Sequence, residues 1–107
     1  MKLLTKILIS PEAKRDMLEI KEYITEELGS PIASKNVTDK IIKQISRLSD
    51  FPKIGASLSS IIDIETNYRF LVCGNYTAFY RYTDETAFVD RILYGKRDFM
   101  RILFEQH

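Results

Sequence analysis

Residues 68–98, YRFLVCGNYTAFYRYTDETAFVDRILYGKRD, decide the fold of this 107-residue chain. Two runs rich in Tyr, Phe and Val, 68–73 and 76–82, flank Gly74-Asn75, a pair that tolerates positive φ and signals a hairpin turn. Thr83-Asp84-Glu85-Thr86 reads as a second polar turn, residues 87–94 as the last strand, and Gly95 as its end. Arg69, Arg81 and Arg91 interrupt these strands, and Lys96-Arg97 follow them, so any chemistry is expected on this sheet.

The length of the Gly74-Asn75 loop decides which arginines share a face, because a one-residue slip sends every side chain to the other side. A two-residue loop sets Cys73 opposite Tyr76 and Arg69 opposite Tyr80. A three-residue loop with a bulge sets Cys73 opposite Thr77 and Arg69 opposite Arg81. Like charges facing each other cost free energy unless an anion or carboxylate lies between them. The bulged register is the preferred reading of two that the sequence admits.

Outward from the hairpin the chain is mostly helical. Residues 3–9 form a short β-prone run. Ser10-Pro11 and Ser30-Pro31 each combine an N-cap with proline at the first helical position. After the first start, Ala13, Met17, Ile20, Ile24 and Leu28 make one helical stripe, ended by Gly29; after the second, Ala33, Val37, Ile41, Ile45 and Leu48 make another, stopped at Phe51-Pro52. A short connection makes the helices antiparallel neighbours, and their apolar stripes need a sheet to cover. Residues 52–66 read as loop with a short strand near 61–65, and residues 98–105 as a short terminal helix docked by Phe99, Ile102 and Leu103. The expected fold is α+β: a small curved, mainly antiparallel sheet (β-α-α-β-β-β) with a helical hairpin on one face, in a single domain over 1–107.

Composition narrows the function only by exclusion. Apolar residues make up 45% and charged residues 29%, with a net charge of +1, so no overall basic bias favours nucleic acid. A lone cysteine, Cys73, rules out an internal disulfide and fits a reducing, cytoplasmic setting. The N-terminal apolar run is too short to span a membrane. One Cys and one His make no metal ligand set, no glycine-rich phosphate loop occurs, and no cofactor is expected.

By Gly95-Lys96-Arg97-Asp98 the pattern resembles the RelE/ParE superfamily of toxins from bacterial type II toxin–antitoxin modules. The strand–helix–helix start, the hairpin YRFLVCGNYTAFYRY and the close DRILYGKRD carry the resemblance over nearly the whole chain. It implies a sheet whose face away from the helices is a groove wrapped by a cognate antitoxin, or covered in a homodimer. RelE-like members cleave mRNA on the ribosome; ParE-like members inhibit DNA gyrase and lack the nuclease residues. RNA cleavage by 2′-hydroxyl attack needs proton-transfer groups and positive charge on the phosphate. By the resemblance, Arg69 matches a basic groove position and Arg97 the Arg after Gly-Lys. Leu71, Thr77 and Leu103 stand where further Lys, Arg and Tyr are expected, and Tyr94 where ParE-like chains often carry His.

The resemblance therefore favours a ParE-like toxin that arrests growth by binding DNA gyrase, with Arg69, Arg81, Arg91, Tyr94, Lys96 and Arg97 as target- or phosphate-binding residues. The alternatives are a mRNA endonuclease acting through Arg69, Arg81 and Arg97 on the ribosome, and a non-toxic antitoxin-binding module. Each site residue also has a plain structural reading. The strand arginines can pair with Asp90, Glu65 or Asp63, the aromatics can be core, Cys73 can be inert, and His107 can be a solvated chain end.

Overall fold

The computed structural model describes residues 4–105. Strand β1 (Lys6–Ile9) leads into helices α1 (Pro11–Glu27) and α2 (Pro31–Ser46). A two-residue strand β2 (Ala56–Ser57) follows, then β3 (Tyr68–Cys73), β4 (Tyr76–Thr83), β5 (Thr86–Tyr94) and the short helix α3 (Phe99–Phe104). The sheet order is β1-β5-β4-β3-β2; β1 runs parallel to β5 and the other neighbours are antiparallel. His107 lies outside the described residues.

Both helix starts form as their sequences dictate. Ser10 Oγ accepts from Ala13 N at 2.9 Å and Ser30 Oγ from Ala33 N at 3.1 Å, satisfying N–H groups that have no partner inside the helix. Gly29, with φ +61°, turns the chain between the helices. The two stripes bury Ala13, Ile20, Ile24, Ile41 and Ile45 against Leu71, Ala78, Tyr80, Ala87, Val89 and Ile92. At roughly 1.5–3 kcal/mol for each large apolar side chain taken out of water, this layer is the main source of stability.

The β3–β4 register is the two-residue one. Cys73 faces Tyr76, and Arg69 faces Tyr80, not Arg81. The bulged alternative fails on packing: it would align Leu71 with Phe79 and bring Arg81 to the helix-facing side. In the observed register Leu71, Cys73, Ala78 and Tyr80 all turn to the helices. Arg69 and Arg81 consequently lie on opposite faces. The bulge occurs one strand over, between β4 and β5: Phe79 pairs with Arg91 and Tyr80 with Val89, leaving Asp90 unmatched.

The strand expected near 61–65 is not formed; β2 lies earlier, at Ala56–Ser57, against Phe70 and Arg69. Ser59 explains the difference. Its hydroxyl donates to Ile64 O (3.3 Å) and Thr66 O (3.0 Å) and accepts from Thr66 N (3.1 Å), closing 59–66 into a loop that cannot be extended.

The second sheet face is not bare. Leu58, Phe79 and Leu93 form a smaller core there, and α3 covers it with Phe99, Ile102, Leu103 and Phe104. Phe79 stacks on Phe99 with ring centroids 5.6 Å apart, and Tyr68 meets Phe104 edge-on at 5.8 Å. Where an uncovered groove was expected, the chain's own C-terminal helix lies.

Candidate functional site

Three of the arginines singled out by sequence are committed inside the fold. Arg69 donates from Nε to Gly55 O (3.0 Å) and from Nη2 to Lys53 O (3.1 Å). Beside it the buried Tyr80 hydroxyl donates to Pro52 O (2.8 Å) and accepts from Gly55 N (3.0 Å). Together they pin the 52–55 loop to the sheet so closely that a Cβ on Gly55 would approach Phe70 O to 2.6 Å. Arg69 is thus a strap on backbone carbonyls.

Arg81 forks onto Asp90, Nε to Oδ2 at 2.7 Å and Nη2 to Oδ1 at 3.3 Å, while Tyr68 donates its hydroxyl to the same Oδ2 at 2.8 Å. The guanidinium lies 5.3 Å from the Phe88 ring centroid and 6.0 Å from that of Tyr68. Donating these hydrogen bonds to Asp90 raises the Arg81 pKa further. Burial, then the hydrogen bond to Asp90, pushes the Tyr68 phenol up to about 12, so it remains a protonated donor at neutral pH.

Arg91 grips Asp16 of α1, Nε to Oδ2 at 2.8 Å and Nη2 to Oδ1 at 2.9 Å, and Ile92 N donates to Oδ2 at 2.9 Å. The cause is topological. β1 pairs only as far as Val89, so the outer edge of β5 would otherwise leave the Ile92 N–H without a partner. Ser10 performs a similar task one step earlier, its N donating to Val89 O (2.9 Å) and its Oγ to Asp90 O (2.7 Å). Asp16 is only 7% exposed and was not singled out by sequence reasoning. Its signal was present: it stands three residues after Ala13 and four before Ile20, inside the buried stripe.

The remaining candidates lie around the end of β5. Tyr94 is exposed and meets Tyr76 edge-on at 5.5 Å. Lys96 Nζ rests 4.9 Å from the Phe70 ring centroid. The Arg97 side chain is exposed and has no ion-pair or hydrogen-bond partner among the described residues. Arg91, Tyr94 and Arg97, but not Lys96, line a cleft of about 870 Å³ between the helical hairpin, the end of β5 and α3; Tyr23, Leu28 and Tyr76 supply its apolar wall, and Arg91 and Arg101 are paired there with Asp16 and Asp98. Of the six predicted residues the fold thus brings three, Arg91, Tyr94 and Arg97, to one cleft, and leaves Arg69, Arg81 and Lys96 outside it.

Of the positions without the expected nuclease groups, Leu71 and Thr77 are buried and Leu103 packs in the second core. Burial pushes the Cys73 thiol up to about 11, as befits an inert core residue. No group of three or more His, Cys, Asp or Glu among the described residues is arranged to hold a metal ion. No described helix is long and apolar enough to cross a membrane.

Comparison with known proteins adds the family context. Residues 7–99 match the family model described as "ParE toxin of type II toxin-antitoxin system, parDE". No curated protein matches by sequence. Among solved structures, the chain is similar to a chain of the chromosomal ParDE toxin–antitoxin system from P. aeruginosa, with TM-score 0.71 and 18% identity over 85% of this chain and 96% of that one. It is also similar to a chain of the toxin–antitoxin complex RelBE2 from Mycobacterium tuberculosis, with TM-score 0.62 and 17% identity over 86% and 99% of the two chains. At these identities the likeness is one of fold.

Proposed function

The chain belongs to the ParE toxin family of type II toxin–antitoxin systems, and from that premise we propose that it arrests growth by binding a protein target, DNA gyrase, and not by cutting RNA. One observation carries this reading. Arg81 and Arg91 are each paired with a carboxylate of the chain itself, and Arg69 is turned onto two backbone carbonyls, so none of the three presents its fork to a scissile phosphate. Among the described residues, the Tyr68 phenol beside these arginines is raised to about 12 and donates to Asp90, which does not suit it to take a proton from a 2′-hydroxyl.

The cleft beside Tyr94 and Arg97 suits protein contact. It combines exposed aromatic and aliphatic side chains with the unpaired Arg97, and aromatic and arginine side chains are the ones that anchor interfaces. A cognate antitoxin segment with apolar residues and a carboxylate for Arg97 would fit there in the cytoplasm. The deciding experiment is a gyrase supercoiling assay with purified chain. Supercoiling should fall at micromolar toxin, and unaffected supercoiling would reject the gyrase reading.

A second reading, a ribosome-dependent mRNA endonuclease, draws on the exposed and unpaired Arg97. Toeprinting on translating ribosomes separates the two, since A-site cleavage abolished by Arg97→Ala belongs to the nuclease alone.

A further inference from the structure

We propose that Arg81 and Tyr68 form a binding site for a small oxyanion, a carboxylate or a phosphate, which the chain keeps filled with its own Asp90 side chain. Asp90 would then be the residue that denies this sheet face to anionic ligands.

The arrangement has the parts of a built anion site. Arg81 presents two N–H groups in a fork, at 2.7 and 3.3 Å from the two carboxylate oxygens, the geometry by which guanidinium groups recognise carboxylates and phosphates. Tyr68 adds a third donor at 2.8 Å. Phe88 and Tyr68 flank the guanidinium. The Asp90 side chain is only 20% exposed and Arg81 37%, so the contact is partly withdrawn from water, where a charge-assisted bond gains strength.

The occupant arrives by a separate device. Asp90 is the unmatched residue of the β4–β5 bulge, and a bulge re-aims a side chain relative to a regular ladder. Its backbone is held independently, through the Ser10 Oγ bond to Asp90 O at 2.7 Å. Removing the carboxylate should therefore leave the strand in place and the donors facing a vacated position. That position adjoins a hollow of about 170 Å³ lined by Ser10, Glu12, Tyr68, Arg91 and α3 residues. Of the other charged groups there, Arg91 is turned to Asp16, and Glu12 at the hollow opposes anion entry without occupying the fork.

A tethered carboxylate competes with free anions at a high effective concentration, which explains why the natural chain would show no such affinity. The test uses the full chain carrying Asp90→Ala, with formate and inorganic phosphate as probes and chloride at equal ionic strength as control. Either anion should raise its thermal midpoint and shift the NMR signal of the Arg81 Nε–H, with affinity roughly tenfold or more above the natural chain. Asp90→Ala/Arg81→Ala should lose the response. A response to formate, to phosphate or to both that depends on Arg81 upholds the site, and the tighter anion identifies its class. No response to either, or one that persists without Arg81, overturns it. Should Asp90→Ala not fold, Asp90→Ser replaces it under the same criteria, since its shorter side chain leaves the position of the carboxylate open.

Discussion

The two faces of the sheet are built on different principles. The helix-facing side is a wide aliphatic layer under two capped helices, with Tyr80 and Asp16 satisfied inside it. The other side is an aromatic patch under six residues of α3, whose hydrogen bonds among the described residues are all local, such as Ile102 N to Asp98 O at 2.9 Å. One face carries the larger core, and on the other α3 is held to the sheet by side-chain packing beside the Arg81–Asp90–Tyr68 network. The difference separates residues that maintain the fold from residues free to meet a partner, and it assigns Arg69 and Arg91 to the first group.

The largest effect should come from Asp16. Asp16→Ala leaves Arg91 half-buried and Ile92 N without its acceptor, and breaking such a pair costs about 3–5 kcal/mol; urea melts of the two chains measure it. An unchanged midpoint would erase the distinction between the faces. Gly55→Ala should cost about 1–3 kcal/mol, because the new methyl meets Phe70 O and the Tyr80 ring below contact distance. That loss, read in the same melts, tests whether the Arg69–Tyr80 strap is as rigid as its bonds imply.

On the other face, Phe99→Ala should cost less, about 1–2 kcal/mol, because the residue is only partly buried and the site can collapse. The sharper readout is dye binding, as the variant should bind ANS while keeping its far-UV spectrum. The smallest effect concerns pH. Tyr68 has its pKa raised from 10.0 to about 12, so its contribution is complete below pH 10 and disappears as pH rises toward 12. Stability of the natural chain should therefore fall more steeply between pH 10 and 12 than that of Tyr68→Phe, and absorbance titration near 295 nm should show one phenol fewer ionising late.

Much of the fold was legible because its signals are local. Ser10-Pro11, Ser30-Pro31 and Gly29 mark the helices within a few residues of where they begin and end, and Gly74-Asn75 marks the hairpin. The sites of misreading depend on distant partners. The register at Gly74-Asn75 is selected by which set of side chains the helices can cover, and the bulge that the arginines suggested lies at Asp90 on the next strand. The Arg81–Asp90 pair was among the alternatives raised from sequence, being nine residues apart across one turn. Arg91 and Asp16 are 75 residues apart and belong to different element types, so no short-range pattern joins them. The cleft, likewise, is assembled from α1, α2, β4, β5, α3 and the turn before it, and no single stretch announces it.

The pairing of β1 with β5 also governs how the chain is made. Lys6 finds its neighbour at Thr86, and Ser10 bonds to Asp90 across 80 positions of sequence. During synthesis from the N-terminus, the first strand and the sheet-facing side of α1 must wait until β5 has emerged before their sheet partners exist. Such long-range closure slows folding and leaves apolar surface uncovered meanwhile. For a toxin, the same delay makes a product that stops before β5 incomplete at its central layer, so the sheet closes only once residues 86–94 are present.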